Sequence, residues 1–377
     1  MKFRKLIFWL HLIAGVVAGV IILVMSVTGV MLAYERQIIQ LADGCRVSPP
    51  VGTARRLEIE TLLARVRDAQ SNSLPSTLTL RADPAAPVAF GYGRERTVFA
   101  NPYTGELLGE GSTGARDFFH LMTDWHRWLG ASEKGRAVGR AITSACNLAF
   151  LFLVVSGFYL WWPRKWSWSS LRGIVIFNRG LRGRARDWNW HNVIGLWSVL
   201  PLFFIVLTGV VMSYPWANNL LYKLTGSEPP PAREGQRRAG GRRPELPPPD
   251  LDLRGLNDLW VKVEEQSAGW KSISLRVPNS EEAPVAFTVD KGNGGRPDLR
   301  STITLEQDTG EVVRRESFSD YNTGRKLRLW VRWIHTGEAG GFWGQTIAML
   351  ASAGAAVLVY TGLALALRRF LNRNRVR

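Results

Sequence analysis

Four long apolar stretches, at 6–33, 141–162, 193–216 and 342–367, dominate the sequence, and His11 is the one charged or imidazole side chain inside them. Each reaches the roughly 20 residues a helix needs to cross the hydrocarbon core of a bilayer. Lipid offers no partner to a backbone N–H or C=O, so such stretches fold as helices that satisfy their own hydrogen bonds. The first run follows three positive charges, as a secretion signal would, but it is too long and no small-residue cleavage site follows it. It is read as a retained helix.

Lysine and arginine in the short flanks set the orientation. Residues 1–5 carry three, 164–187 carry seven and 368–377 carry five. All three segments fall on one side of a four-span chain, so both termini are expected in the cytoplasm of a bacterial cell, with the protein in the inner membrane. The formal charge of +17 is largely this membrane-facing charge, and no nucleic-acid-binding motif accompanies it. A further basic cluster between Arg233 and Arg243 belongs to a long outer loop, where the rule carries little weight. Of the two cysteines, Cys45 is expected just outside the membrane and Cys146 within the second span, so they are not expected to pair. Without a C-x-x-C-H motif, covalent haem attachment is excluded.

The chain reads as a tandem repeat. Placing His11 over His191 also aligns Gly15 with Gly195, Thr28-Gly29 with Thr208-Gly209, and Tyr34 with Tyr214. In the second and fourth spans, Gly139 and Ser156-Gly157 have the spacing of Gly344 and Thr361-Gly362, with His126 and His335 upstream of each. The loop after the histidine is four residues longer in the first copy. "APVAF" occurs at both 86–90 and 283–287, each after a strand-like run (76–81, 271–276) and an amphipathic helix candidate (57–69, 256–266). The expected fold is therefore an integral membrane α-helical protein, with four transmembrane helices in an internal repeat and two small α+β outer domains. The parts are helix 1 (1–34), outer domain 1 (35–118), an outer helix and helix 2 (119–163), a basic loop (164–187) and helix 3 (188–216). A Pro/Gly/Arg-rich linker (217–250), outer domain 2 (251–333), helix 4 (334–367) and a basic tail (368–377) complete the chain.

The five histidines, His11, His120, His126, His191 and His335, all lie at or shortly before the start of a span. Ionisable groups in a membrane are costly and point to function. Neutral imidazole is a strong iron ligand, and helix bundles hold cofactors between facing side chains. His11 and His191 open outward-running spans and share a depth near the cytoplasmic face. His126 and His335 precede inward-running spans and share a depth near the outer face. Two non-covalent b-type haems, one per pair, would form an electron path across the bilayer. Gly15 and Gly195 lie four residues after their histidines, on the same helix face. They make room either for a porphyrin or for a neighbouring helix. His120 is six residues before His126, about 120° round a helix from it. His126 is the preferred ligand and His120 the spare.

Zinc would call for clustered ligands, and no H-E-x-x-H is present. The G-x-G-x-x-G at Gly109, Gly111 and Gly114 lacks a βαβ frame and reads as a loop. The tryptophans around the second and third spans suit an interfacial belt. Trp190 and, earlier in the chain, Trp125 each adjoin a candidate ligand and are candidates for a haem-pocket wall.

"WLHLIAG", "HRWLG", "SGFYLWWPR", "WHNVIGLW" followed by "LTG", and "IHTGEAGG" resemble the PepSY-associated transmembrane family over essentially the whole chain, and within it the inner-membrane ferrisiderophore reductases of the ferrioxamine-reductase type. The resemblance implies periplasmic PepSY-like outer domains, two haems ligated at His11, His191, His126 and His335, and one-electron reduction of a periplasmic ferric siderophore, hydroxamate types favoured. The cytoplasmic loops are too short for a flavin or nicotinamide fold. The electron donor is therefore expected to be a membrane quinol or a cytoplasmic reductase. Two other readings compete: a non-catalytic PepSY-domain accessory or sensor protein, and a component of a siderophore transporter.

Overall fold

The computed structural model describes residues 2–49, 55–71, 73–93, 96–163, 166–230 and 246–374. In chain order its elements begin with α1 (Lys2–Leu32), α2 (Glu35–Asp43), α3 (Ile59–Ala69), β1 (Thr77–Arg81), β2 (Val88–Tyr92), β3 (Arg96–Ala100) and β4 (Leu107–Glu110). There follow α4 (Thr113–Trp128), α5 (Arg136–Trp161), α6 (Trp168–Val175), α7 (Gly183–Ser213), α8 (Pro215–Leu224) and α9 (Leu256–Glu265). The last are β5 (Ser272–Arg276), β6 (Val285–Asp290), β7 (Arg300–Leu305), β8 (Val312–Ser317), α10 (Thr323–His335) and α11 (Gly341–Asn374). They form two compact units, one of Met1–Glu35, Phe118–Gly226 and Leu327–Arg377, the other of Arg36–Asp117 and Ser227–Lys326.

The first unit is a helix bundle. Four of its helical segments are long and apolar enough to cross a membrane, and the protein is a multi-pass membrane protein. Helices α1 and α7 each pack against both α5 and α11, so the four make a ring with α1 and α7 on one diagonal. The burial pattern is that of a protein in lipid: α1 buries Ala18, Gly19, Ile22, Ser26 and Thr28, while Val17 is 77% and Val20 61% exposed. Apart from Ile22, it is small and hydroxyl side chains that face the neighbours here, while Val17 and Val20 face outward, because lipid gives no reason to hide a valine and close packing rewards a small residue.

The helices that precede α5 and α11 end in the same way. Leu129 and Gly130 take left-handed conformations after α4, as Gly337 does after α10, turning the chain before the next span. A Cβ on Gly139 would lie 2.2 Å from the carbonyl oxygen of Trp128, and one on Gly344 would lie 2.2 Å from that of Gly337. Only glycine allows these turns to press on the start of the following helix. Several boundaries differ from expectation. Helix α7 begins at Gly183, inside the basic loop, because the Asn189 side chain donates to the carbonyls of Gly173 and Ile176 and accepts from the N–H of Asn178, tying the α6 segment to it. Helix α8 occupies the start of the expected linker, with Pro215 at its first turn, where its missing N–H costs nothing. The Arg233–Arg243 cluster and Arg164 and Lys165 lie outside the described residues.

The second unit is built on one antiparallel sheet in the order β4-β3-β2-β1-β5-β6-β7-β8. The segments expected as two domains, 35–118 and 251–333, thus contribute one four-stranded meander each to a common sheet. The join is the β1–β5 pair, centred on Thr79 opposite Ser274, whose hydroxyls are 2.8 Å apart. A lone meander would leave a flat inner edge of unpaired N–H and C=O groups, and pairing the two edges removes it. The two "APVAF" segments sit alike, with Val88, Phe90, Val285 and Phe287 fully buried in one core. Helices α3 and α9 pack beside each other and complete each other's first turns: Asn257 Oδ1 accepts from the N–H of Glu60, and Glu60 Oε1 accepts from that of Asn257. Gly109, expected in a loop, is in β4 and paired with Phe99, whereas Gly111 follows the strand and Gly114 lies in the first turn of α4.

Candidate functional site

The histidines are held at two levels of the bundle. At the end where α1 and α7 begin, His11 Nδ1 lies 2.8 Å from Ser156 Oγ of α5. On the opposite diagonal partner, His191 Nδ1 lies 2.9 Å from Thr361 Oγ1 of α11. Both imidazoles line one cavity of about 740 Å³. That volume is in the range of sites that enclose a cofactor-sized ligand, roughly 300–1,000 Å³.

The lining of this cavity is mostly apolar, with five glycines, Gly15, Gly19, Gly157, Gly195 and Gly362, along its helices. A Cβ on Gly15 would meet only Leu153, at 3.8 Å, and one on Gly195 only Leu358, at 3.7 Å. Neither glycine marks a tight helix crossing. Both leave space. Four cations, Arg4, Lys5, Arg184 and Arg369, line the same cavity, and Arg4 donates to the carbonyl of Leu160.

At the other level, His126 lies in the last turn of α4 and His335 ends α10. Their ring centroids are 6.3 Å apart at an interplanar angle of 69°. His126 Nδ1 lies 2.9 Å from Thr28 Oγ1 of α1, and His335 Nδ1 lies 3.3 Å from Thr208 Oγ1 of α7 and 2.8 Å from the carbonyl oxygen of Ile205. Thr28 is 17 residues after His11, and Thr208 is 17 residues after His191, which on a helix separates the levels by about 25 Å. That is most of the roughly 30 Å hydrocarbon thickness of a bilayer.

Residues 8–369 match the PepSY-associated TM region family. The chain belongs to this family. No curated protein matches it. In this member of the PepSY-associated TM family, the match runs from just before His11 to Arg369 and so takes in both histidine levels.

The donor set fits a haem held by two imidazoles. One first-row metal held by two imidazoles, at about 2 Å per bond, allows ring centroids up to roughly 6 Å apart, and those of His126 and His335 are 6.3 Å apart. At the other level the cavity supplies what a planar macrocycle needs: an imidazole on each of two diagonal helices, glycines that leave flat walls, and cations for its carboxylates. Among the described residues no three His, Cys, Asp or Glu side chains gather in one place, so the donors come in twos rather than as an ion cage.

Other expected site residues lie elsewhere. His120 is exposed on α4. Trp125 is 42% exposed and covers the turn at Gly130, where a Cβ would come within 2.9 Å of its ring. Trp190 packs edge-on to Phe177 and beneath Arg186. Trp188, three residues before His191 and on its helix face, lines the cavity instead, together with Phe8.

The hydroxyl partners of the histidines were legible only as repeat markers. Their pairing crosses between helices, and spacing within one helix cannot show it. Asp187 is a further surprise: it is 1% exposed and bridges Arg186 of its own helix and Arg368 of α11, at 2.9 and 3.0 Å.

Proposed function

We propose that this protein is a two-haem reductase of the ferrisiderophore-reductase type, carrying electrons across the bacterial inner membrane to a ferric siderophore in the periplasm. Its basic flanks, at 1–5, 164–187 and 368–377, support an orientation with both termini in the cytoplasm. The His126–His335 relationship is the single observation that carries the haem reading, since two imidazoles on separate helices lie with centroids 6.3 Å apart, a separation compatible with one iron between them.

Haem, when bound, supplies a one-electron couple whose potential follows its axial ligands and surroundings. His11 and His191 would hold one group, and His126 and His335 the other. Gly15, Gly19 and Gly195 keep the walls of the first site flat, while Arg4, Lys5, Arg184 and Arg369 can neutralise carboxylates there. The surrounding leucine, valine and phenylalanine side chains make most of the lining apolar.

The substrate proposed is iron(III) in a hydroxamate-like cage. One added electron gives iron(II), which hard anionic oxygen donors hold much less tightly, and the metal leaves. The reductant is a membrane quinol or a partner protein. The test is purification in detergent followed by visible spectroscopy and haem quantification. Two haems per chain, with sharp bands on reduction that are lost on adding a ferric hydroxamate siderophore, are expected. A colourless preparation that takes up no added haemin would overturn the proposal.

A further inference from the structure

The four Ser/Thr-Gly pairs of the spans, Thr28-Gly29, Ser156-Gly157, Thr208-Gly209 and Thr361-Gly362, each place a hydroxyl against the Nδ1 of a histidine on another helix. The direction of these hydrogen bonds follows from the backbone. A hydroxyl has one hydrogen to give and two lone pairs to offer. Thr28 Oγ1 is 2.7 Å from the carbonyl of Val24, Thr208 Oγ1 is 2.6 Å from that of Phe204, and Thr361 Oγ1 is 2.8 Å from that of Val357. A carbonyl only accepts, so each threonine spends its hydrogen on its own helix. The lone pair that remains faces the imidazole, and Nδ1 must donate to it.

At His335 a backbone oxygen repeats the instruction. His335 Nδ1 is 2.8 Å from the carbonyl of Ile205, three residues before Thr208. For His126 and His191 the threonine lone pair alone gives the direction. The proton therefore sits on Nδ1 in all three rings, and Nε2 keeps its lone pair.

The glycine after the hydroxyl lets the ring lie against the partner helix. A Cβ on Gly29 would come 3.6 Å from His126 Cε1, on Gly157 3.4 Å from His11 Cε1, and on Gly362 3.3 Å from His191 Cε1. Gly209 differs, for there a Cβ would meet Asn147. Ser156 differs in a more consequential way. Its nearest backbone acceptor is the carbonyl of Leu153 at 3.4 Å, so its hydrogen is not committed to its own helix and His11 is not held to one tautomer.

We infer that Thr28, Thr208 and Thr361 are positioning residues that fix His126, His335 and His191 as Nδ1–H tautomers with Nε2 ready to bind metal, and that Ser156 leaves His11 the least constrained ligand of the four. The consequence for metal binding rests on the haem reading. The tautomers are a property of the protein alone. The experiment therefore has two arms on the full chain in detergent. In haem-depleted protein carrying ¹⁵N-histidine, at a pH where imidazole is neutral, His126, His191 and His335 should show a protonated Nδ1 and a bare Nε2, and His11 a mixture. Thr361→Val, which keeps the volume and removes the acceptor, should turn His191 into a mixture. Thr361→Ser should restore it, and Ser156→Thr should drive His11 to the Nδ1–H form.

In the second arm, haemin titration of Thr361→Val should show a 10–100-fold loss of affinity at one of two sites, the usual effect of removing a ligand's outer partner, with recovery in Thr361→Ser. A protonated Nε2 on His191 in the unsubstituted chain, or tautomers and haemin affinity unmoved in Thr361→Val, would overturn the inference. Failure of haemin to bind at all, with the tautomers as expected, would instead remove the haem reading and leave the hydrogen-bond assignment standing.

Discussion

His126, in the last turn of α4, and His335, at the end of α10, come from different halves of the chain, and their imidazole centroids lie 6.3 Å apart. Neither ring is placed by its own span. Each is tied by Nδ1 to a threonine of a long helix, Thr28 of α1 and Thr208 of α7. If both ligate one iron, His126→Ala and His335→Ala should each remove the same haem and leave the other, whose ligands lie about 25 Å away. His120→Ala, at an exposed position on α4, should leave both. Haem content per chain, with reduced-minus-oxidised spectra of the three variants, checks this. Loss of different haems in the first two would break the pairing.

The cavity between His11 and His191 makes a separate prediction. Gly195 lines it, and a Cβ there meets nothing closer than 3.7 Å. Gly195→Leu should therefore be accepted by the bundle while its side chain enters the space. The expected result is a folded protein, monodisperse in detergent, with about one haem in place of two and its His126–His335 site intact. Gly139→Leu should behave differently, because a side chain there would collide with the backbone of Trp128. Backbone cannot step aside as a flexible side chain can, so that variant should fail to accumulate in the membrane.

Much of this layout is written in local sequence. The spans announce themselves by length, and the match of His11, Gly15 and Thr28-Gly29 to His191, Gly195 and Thr208-Gly209 brings the histidines into levels before any coordinates are known. What stayed hidden depends on contacts between distant segments. The "APVAF" repeats marked two domains, yet only the pairing of β1 with β5 shows that they share one sheet. The contact of Thr361 with His191, 170 residues earlier, joins two helices and leaves no mark in local spacing. Trp190 was favoured for standing next to a ligand in the chain, but neighbours on a helix point about 100° apart. Trp188, three residues off, faces the cavity.

The ion pair of Asp43 and Arg116 links the end of α2 to the first turn of α4. Its two contacts, 2.6 Å to Nη1 and 2.7 Å to Nη2, are bidentate, and the side chains are only 11% and 13% exposed. Asp43 also accepts from the N–H of Ser112. Asp43→Ala would leave the guanidinium largely buried without its partner, a loss of about 2–3 kcal/mol locally, below that of a fully buried pair because some water still reaches it. Amide exchange on the intact protein should quicken across residues 36–43 and 110–117. Exchange in β6 and β7, far along the sheet order, should be unchanged.

One core serving both meanders has a cooperative consequence. Phe90 of β2 and Phe287 of β6 are both fully buried in it, and truncating a buried phenylalanine costs about 3–5 kcal/mol. In two independent domains, Phe90→Ala would loosen 35–118 alone. In a shared core, the loss should be felt on both sides of the β1–β5 junction, since Leu78 of β1 and Leu275 of β5 lie directly opposite one another across the ladder. Amide exchange measured on the full chain distinguishes the two cases. Phe90→Ala should accelerate exchange in β5 and β6 by a factor close to that in β1 and β2, and Phe287→Ala should do the same in reverse. Protection confined to change in one meander would mean that the sheet is continuous in hydrogen bonds but not in stability.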